Sequence, residues 1–298
     1  MRLLVGTVDG VALLAGGELV RSLEGLSISA LSRRDGRIWV LADGRDLLNG
    51  DGLRWEPAGR VDGDHGTCLL ASTSGILVGT AGAHLLRLEH GTLRRVESFE
   101  LADDRAKWHT PWGGPPDLRS LCEQGRSLLA NVHVGGIQRS DDGGSRWHPT
   151  IDIDADVHEV RSTSIPGMAV AACALGLAVS ADDGASWELR TDGLPVTYAR
   201  AVAVARDHVV LTTSSGPGGR RSGVYRSPVE GGPFVACDTG LPAGYGQNID
   251  TFCLDTGGAS VAFGTREGNV YASHDAGETW EVLERDLPEI RCLAFIEA

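Results

Sequence analysis

An all-β fold, a β-propeller of seven four-stranded blades, is predicted by three observations in this sequence. One eight-residue turn pattern occurs three times. Apolar, β-rich segments recur along the whole chain at a near-constant spacing. The first and last of these repeats are incomplete in ways that complement each other.

The turn pattern reads Ser140-Asp-Asp-Gly-Gly-Ser-Arg-Trp147, Ser180-Ala-Asp-Asp-Gly-Ala-Ser-Trp187 and Ser273-His-Asp-Ala-Gly-Glu-Thr-Trp280. Each copy is Ser-x-Asp-x-Gly-x-x-Trp. Its chemistry is that of a β-turn: the Asp carboxylate folds back onto backbone N–H groups, Gly supplies a positive φ, and Trp covers the sheet behind. Degenerate copies fill two gaps. Asn49-Gly-Asp-Gly-Leu-Arg-Trp55 is one residue short, and Ser227-Pro-Val-Glu-Gly-Gly-Pro-Phe234 keeps Ser, Gly and an aromatic.

Seven inner-strand candidates precede or separate these turns: Ser27–Leu31, Thr67–Ser72, Leu118–Cys122, Val157–Ser162, Ala199–Ala205, Ile249–Leu254 and Ile290–Ile296. Their spacing is roughly 40 residues, stretching to about 50 in two places, which suits a four-stranded blade. A second apolar run follows each of the first six: Arg37–Leu41, Gly75–Gly79, Ser127–Val132, Ala169–Ala174, His208–Thr213 and Ser260–Gly264. Gly-Leu-Pro closes two units, at 193–195 and 240–242. The chain stops just after Ile290–Ile296, and it opens on Arg2–Thr7, Val11–Ala15 and Glu18–Leu23, three strands lacking a first one. A blade shared between the termini removes both free sheet edges, so residues 1–298 read as one propeller domain.

On these residues the chain resembles the sialidase-like Asp-box (BNR repeat) β-propellers, and more closely their small bacterial members. The resemblance implies the fold and places the boxes in outer hairpins away from any ligand. Sialidase chemistry does not carry over. The sole Ile-Pro, Ile165-Pro166, follows Ser164 and lies far from the N-terminus, and the arginines and Tyr198 lack the family's neighbours. Within the wider group, polysaccharide-acting enzymes, assembly factors and partner-binding proteins all occur, and fold alone does not choose among them.

The formal net charge is −13 and the pI about 5.1, against a nucleic-acid partner or an anionic membrane surface. No apolar stretch reaches the ~20 residues that span a bilayer. The opening Met-Arg-Leu-Leu-Val run is too short for a signal peptide and is needed as a strand. Six cysteines without a CxxC read as buried thiols, so a cytoplasmic, monomeric protein is expected.

Ligand chemistry is expected at the central mouth, on the face where the inner strands begin. The longest connection, 102–117, contains Trp108, His109 and Trp112, and a loop of this length is functional or disordered in a compact fold. It is read as a plug or as a ligand-contacting lid. His133 ends a second strand, His158 opens an inner strand after Asp152, Asp154 and Asp156, and His65 precedes another inner strand. His133, His158 and His109 are the candidate acid–base groups. His65, His109, His133 and His158 are the candidate ligands of a divalent metal, although no pair has metal-motif spacing. Hydrogen-bonded rim histidines without a ligand are the competing reading. Trp108, Trp112, Tyr198, Arg200, Asn248 and Asp250 are candidate ligand contacts. Arg119, Arg200 and Arg291 would either clamp an anion or form salt bridges with Asp117, Asp250 and Glu289.

Two functions therefore stay open. One is a small-molecule-binding or hydrolase/lyase-type propeller with a His/Trp/Arg-lined site under the 102–117 loop, with or without a divalent metal. The other is a non-catalytic scaffold that docks a peptide or protein on the same face.

Overall fold

Short apolar strands, most ending in a Gly-containing turn, form seven four-stranded antiparallel sheets in the computed structural model, which describes residues 1–110 and 112–296. These are the blades of a seven-bladed β-propeller. Helix among the described residues is limited to Glu97–Glu100 and the 3-10 turns Arg105–Lys107 and Ile153–Ala155.

In six sheets the four strands follow chain order. The seventh is the shared one: Ile290–Phe295 lies beside Arg2–Thr7, followed by Gly10–Ala15 and Glu18–Ser22. Its register pairs Leu3 with Phe295, Leu4 with Ala294 and Val5 with Leu293. The backbone groups that the N-terminal strand would expose at its edge are thereby taken up. Gly6 sits at the tightest point of this pairing, where a Cβ would come within 2.6 Å of Cys292 Sγ and 2.7 Å of Ile28.

The chain resolves into two compact units, one of residues 1–28, 172–177 and 189–298, the other of 29–171 and 178–188. Each has its own apolar core. In the first, Leu3, Val5, Leu254, Phe263, Trp280 and Ile290 are buried together, and Phe263 stacks on Tyr271 at 4.9 Å. In the second, Leu41, Leu47, Val61, Leu69, Val78 and Leu86 pack between neighbouring sheets.

Inner strands fall at Ile28–Arg34, Gly66–Ser72, Leu118–Gln124, Val157–Ser162, Tyr198–Ala205 and Ile290–Phe295, within a few residues of their sequence-based bounds. The exception is the expected strand Ile249–Leu254. The strand there is Leu254–Gly257, and residues 248–253 are irregular. Phe252 takes a left-handed φ of 65°, and Cys253 N donates to Asp250 O at 2.9 Å. Apolar composition alone cannot separate a strand from a turn whose side chains are buried.

The three Ser-x-Asp turns share one geometry, each joining the third strand of a blade to its fourth. In the first, Asp142 Oδ1 accepts from Ser140 Oγ, Ser145 N and Arg146 N at 2.8–3.0 Å. Asp182 and Asp275 repeat this, and each also accepts from a hydroxyl at 2.6 Å, Ser186 or Thr279. These bonds hold the Asp182 and Asp275 carboxyls down to about 2. The shortened copy works too: Asp51 Oδ1 accepts from Leu53 N and Arg54 N at 2.9 and 2.8 Å. The tryptophans differ. Trp147 and Trp280 are buried and donate to Gly144 O and Gly277 O, whereas half-buried Trp187 donates to Thr150 Oγ1 of the preceding blade.

Candidate functional site

The described residues between Val96 and Asp117 form a pinned strap. Phe99 anchors it, fully buried between Trp108 at 5.5 Å and Trp147 at 5.1 Å. Arg105 lies over the Trp108 ring at 4.9 Å, pairs with Glu100 at 2.9 Å and donates to Ala83 O at 2.8 Å. His84 closes the group, its Nδ1 standing 2.8 Å from Glu100. His84 is not among the histidines that the sequence singles out. Nothing local marks it, because its partners come from the strap.

Two of the strap's candidates are therefore separated in role. Trp108 is 8% exposed and belongs to the anchor. Trp112 is 71% exposed, and its ring stands 5.0 Å from that of His133. His109 is exposed, with Nδ1 3.1 Å from Lys107 O.

Beneath Trp112 lies a cluster built by two adjoining blades of the second unit. His133 Nε2 faces Asp156 Oδ1 at 3.6 Å, and His158 Nε2 faces Asp156 Oδ2 at 3.5 Å. His133 is 5% exposed and His158 0%, while the Asp156 side chain keeps 27% of its surface. The Asp156 side chain is thus the most exposed of the three, although its Oδ1 is buried, with an imidazole facing each oxygen. The sequence had placed the histidines as the acting groups and Asp156 as a neighbour.

Backbone geometry places these groups at a cost. Asp156 ends the turn Ile153–Ala155 at φ 45°, and Val134, next to His133, stands at φ 44°. Asp tolerates the left-handed region, but a β-branched residue there is strained by about 1–3 kcal/mol. Below them Asn131 Nδ2 donates to Ser120 Oγ and Val157 O, and Val160 N also donates to Ser120 Oγ, which fixes the two inner strands to each other.

The two carboxylates of this region diverge. Burial raises Asp117, and Arg119 only partly offsets it. Burial also pushes Asp156 up, but His158, His133 and Arg119 outweigh that and hold it below the usual carboxylate range. Asp156 is an anion at neutral pH, fit to accept hydrogen bonds from a ligand or to take a proton.

The four candidate metal ligands are not gathered as one set among the described residues. Both imidazoles turn Nε2 toward one carboxylate, and His65 is exposed in the connection ahead of Gly66–Ser72. Among the described residues no three His, Cys, Asp or Glu side chains form a set that could hold an ion. The six cysteines are buried, and burial pushes Cys68 and Cys237 up to about 12, so neither is a thiolate.

The remaining candidates belong to the first unit. Arg200 Nε donates to Asp250 Oδ1 at 2.9 Å, and Arg266 Nη2 donates to Asp250 Oδ2 at 2.9 Å. Glu289 stands 3.7 Å from Arg266 and 3.5 Å from Arg291. Burial raises Asp250, yet the Arg200 and Arg266 charges hold it below its usual value. The salt-bridge reading of Arg200 and Asp250 thus has direct geometric support, with Arg266 as a partner that sequence reasoning missed. Tyr198 lies under Arg200 at 6.0 Å, and Asn248 Nδ2 donates to Pro217 O at 3.1 Å, tying down the Gly-rich turn.

No protein-family model matches this chain, and no curated protein matches it. Solved structures do. A GH74 enzyme from Niastella koreensis is 14% identical with a TM-score of 0.68 over 94% of this chain, which spans 51% of that one. YCF48 from Cyanidioschyzon merolae is 15% identical with a TM-score of 0.63, covering 88% of this chain and 87% of that one. A protein from Bacteroides uniformis, described as a candidate 6-phosphogluconolactonase, is 13% identical with a TM-score of 0.68 over 99% of both chains. At such identities the likeness shows the propeller fold alone. These neighbours comprise enzyme-class proteins and YCF48, a further structure of which has a bound D1 peptide.

Proposed function

We propose that this chain is a small-molecule-binding propeller whose ligand is a hydroxylated ring, stacked on Trp112 and hydrogen-bonded to Asp156. The observation that carries this reading is a 71%-exposed indole held by a pinned strap against His133, whose ring backs a partly exposed carboxylate. An indole left in water has no stabilising task of its own. Set beside an ionised acceptor, it matches a ring with one apolar face and hydroxyl donors at its edge. The two imidazoles orient the acceptor by facing one carboxylate oxygen each. A GH74 enzyme and a candidate sugar-lactone hydrolase among the structural neighbours agree with a sugar-like ligand.

Calorimetric titration with soluble mono- and oligosaccharides tests this. At least one should bind saturably, and Trp112→Ala and Asp156→Asn should each weaken it about tenfold or more. Absence of binding across the set, or affinity indifferent to both changes, would sink the reading.

Peptide docking is the second reading. It is favoured by Leu101, 80% exposed on the same strap as Trp112, and by the D1 peptide on YCF48. There Trp112→Ala and Leu101→Ser would weaken binding, and Asp156→Asn would leave it unchanged.

A further inference from the structure

We infer that a cleft in the first unit, between the terminal blade and the last strand of its neighbour, binds a small organic cation with an apolar body. The cleft is independent of the residues around Asp156. It opens where Gly10–Ala15 turns into Glu18–Ser22, facing Glu281–Glu284, and encloses about 260 Å³. That lies between the ~150 Å³ that holds one benzene and the ~300 Å³ where drug-sized pockets begin, so a single ring with a short substituent fits.

Its walls are apolar and its rim is acidic. Leu14 and Leu283 form the walls with the Met1 side chain. The turn between the two strands is Gly16-Gly17, with φ of 60° and 84°, and a Cβ built on either would meet nothing within 4 Å. The opening is thus unobstructed on that side. Glu18 and Glu284 stand at the rim. Glu284 Oε1 accepts from Arg285 N at 2.9 Å. His274, the other ionisable side chain of the lining, is engaged by Ser260 at 3.1 Å and Glu281 at 3.5 Å. A ligand buried here puts its hydrocarbon against leucine and its charge between two carboxylates. The net charge of −13 favours approach by cations and disfavours anions.

Benzylamine and the near-isosteric benzyl alcohol are the probes, titrated against the whole chain by calorimetry at low salt. Benzylamine should saturate one site, with benzyl alcohol about tenfold weaker or more, since only the amine forms charge-assisted bonds. The double change Glu18→Gln and Glu284→Gln, both at the surface, should abolish that preference. Trp112→Ala should leave benzylamine affinity unchanged. No saturable binding, equal affinity for the two probes, or a preference that survives the double change would each overturn the inference. Loss of amine binding in Trp112→Ala would move it to the other site and overturn it equally.

Discussion

The box turns and the cluster beneath Trp112 are both organised by an aspartate, and they differ in where its partners come from. Asp182 is held by Ser180 and Ser186, within four residues of itself. Asp156 is held by His133 from another blade and by His158 from the strand it introduces. In each the carboxyl lies below its usual value, but the causes are opposite in character. Backbone and hydroxyl donors in an exposed turn do it for Asp182, whereas for Asp156 burial is outweighed by the His158 hydrogen bond together with His133 and Arg119. The box gathers its donors by local geometry and caps them with a tryptophan, which is a stability device. The cluster gathers buried imidazoles around one partly exposed carboxylate and spends backbone strain at Val134, which fits a binding task better.

The sharpest test of that division is to truncate tryptophans on each side of it. Trp280 is buried against Phe263 at 5.1 Å, so Trp280→Ala should cost roughly 3–5 kcal/mol in urea unfolding. Trp108→Ala, which removes the strap anchor, should fall in the same range. Trp187→Ala should cost clearly less, because that indole is half-buried. Equal losses at Trp280 and Trp187 would break the view that burial, rather than the motif, sets the contribution.

Trp112→Ala should change stability by no more than about 0.5 kcal/mol, the usual range for a surface side chain. A loss comparable to that of Trp108→Ala would show that the exposed indole is structural and erase the contrast between the two regions.

Acid sharpens the comparison at smaller amplitude. Asp182 and Asp275 have folded values of about 2 against an ordinary 3.8. Their contribution is complete above roughly pH 4 and is lost as pH falls through about 2, since protonation removes the acceptor. In Asp182→Asn the decline of stability between pH 4 and 2 should be shallower than in the parent, followed by thermal melting. An identical decline would mean that the box carboxylate is not coupled to folding.

The last comparison concerns a glycine. Gly240, in one of the Gly-Leu-Pro stops, has φ 87°, and a Cβ there would lie 1.9 Å from Trp280 O. Gly240→Ala should destabilise by at least about 1–3 kcal/mol, from the left-handed φ and from the clash with Trp280 O. A neutral result would show that the stop and the box it meets are free to shift.

The sequence by itself determined the blades, the three turns, the sheet shared by the two termini and the position of the long connection. Those features rest on short-range chemistry, in which alternation, turn residues and spacing act within a few positions. Even the damaged box at Asp51 keeps its bonds because its donors are its own neighbours. The irregular path at 248–253, Arg266 as the second partner of Asp250, and the link from His84 through Glu100 to Arg105 were decided only by tertiary structure. So was the reversal of roles that buries His133 and His158 and leaves Asp156 partly exposed. Burial and charge pairing depend on which strands a propeller sets side by side, and residues far apart in sequence carry no local mark of that proximity.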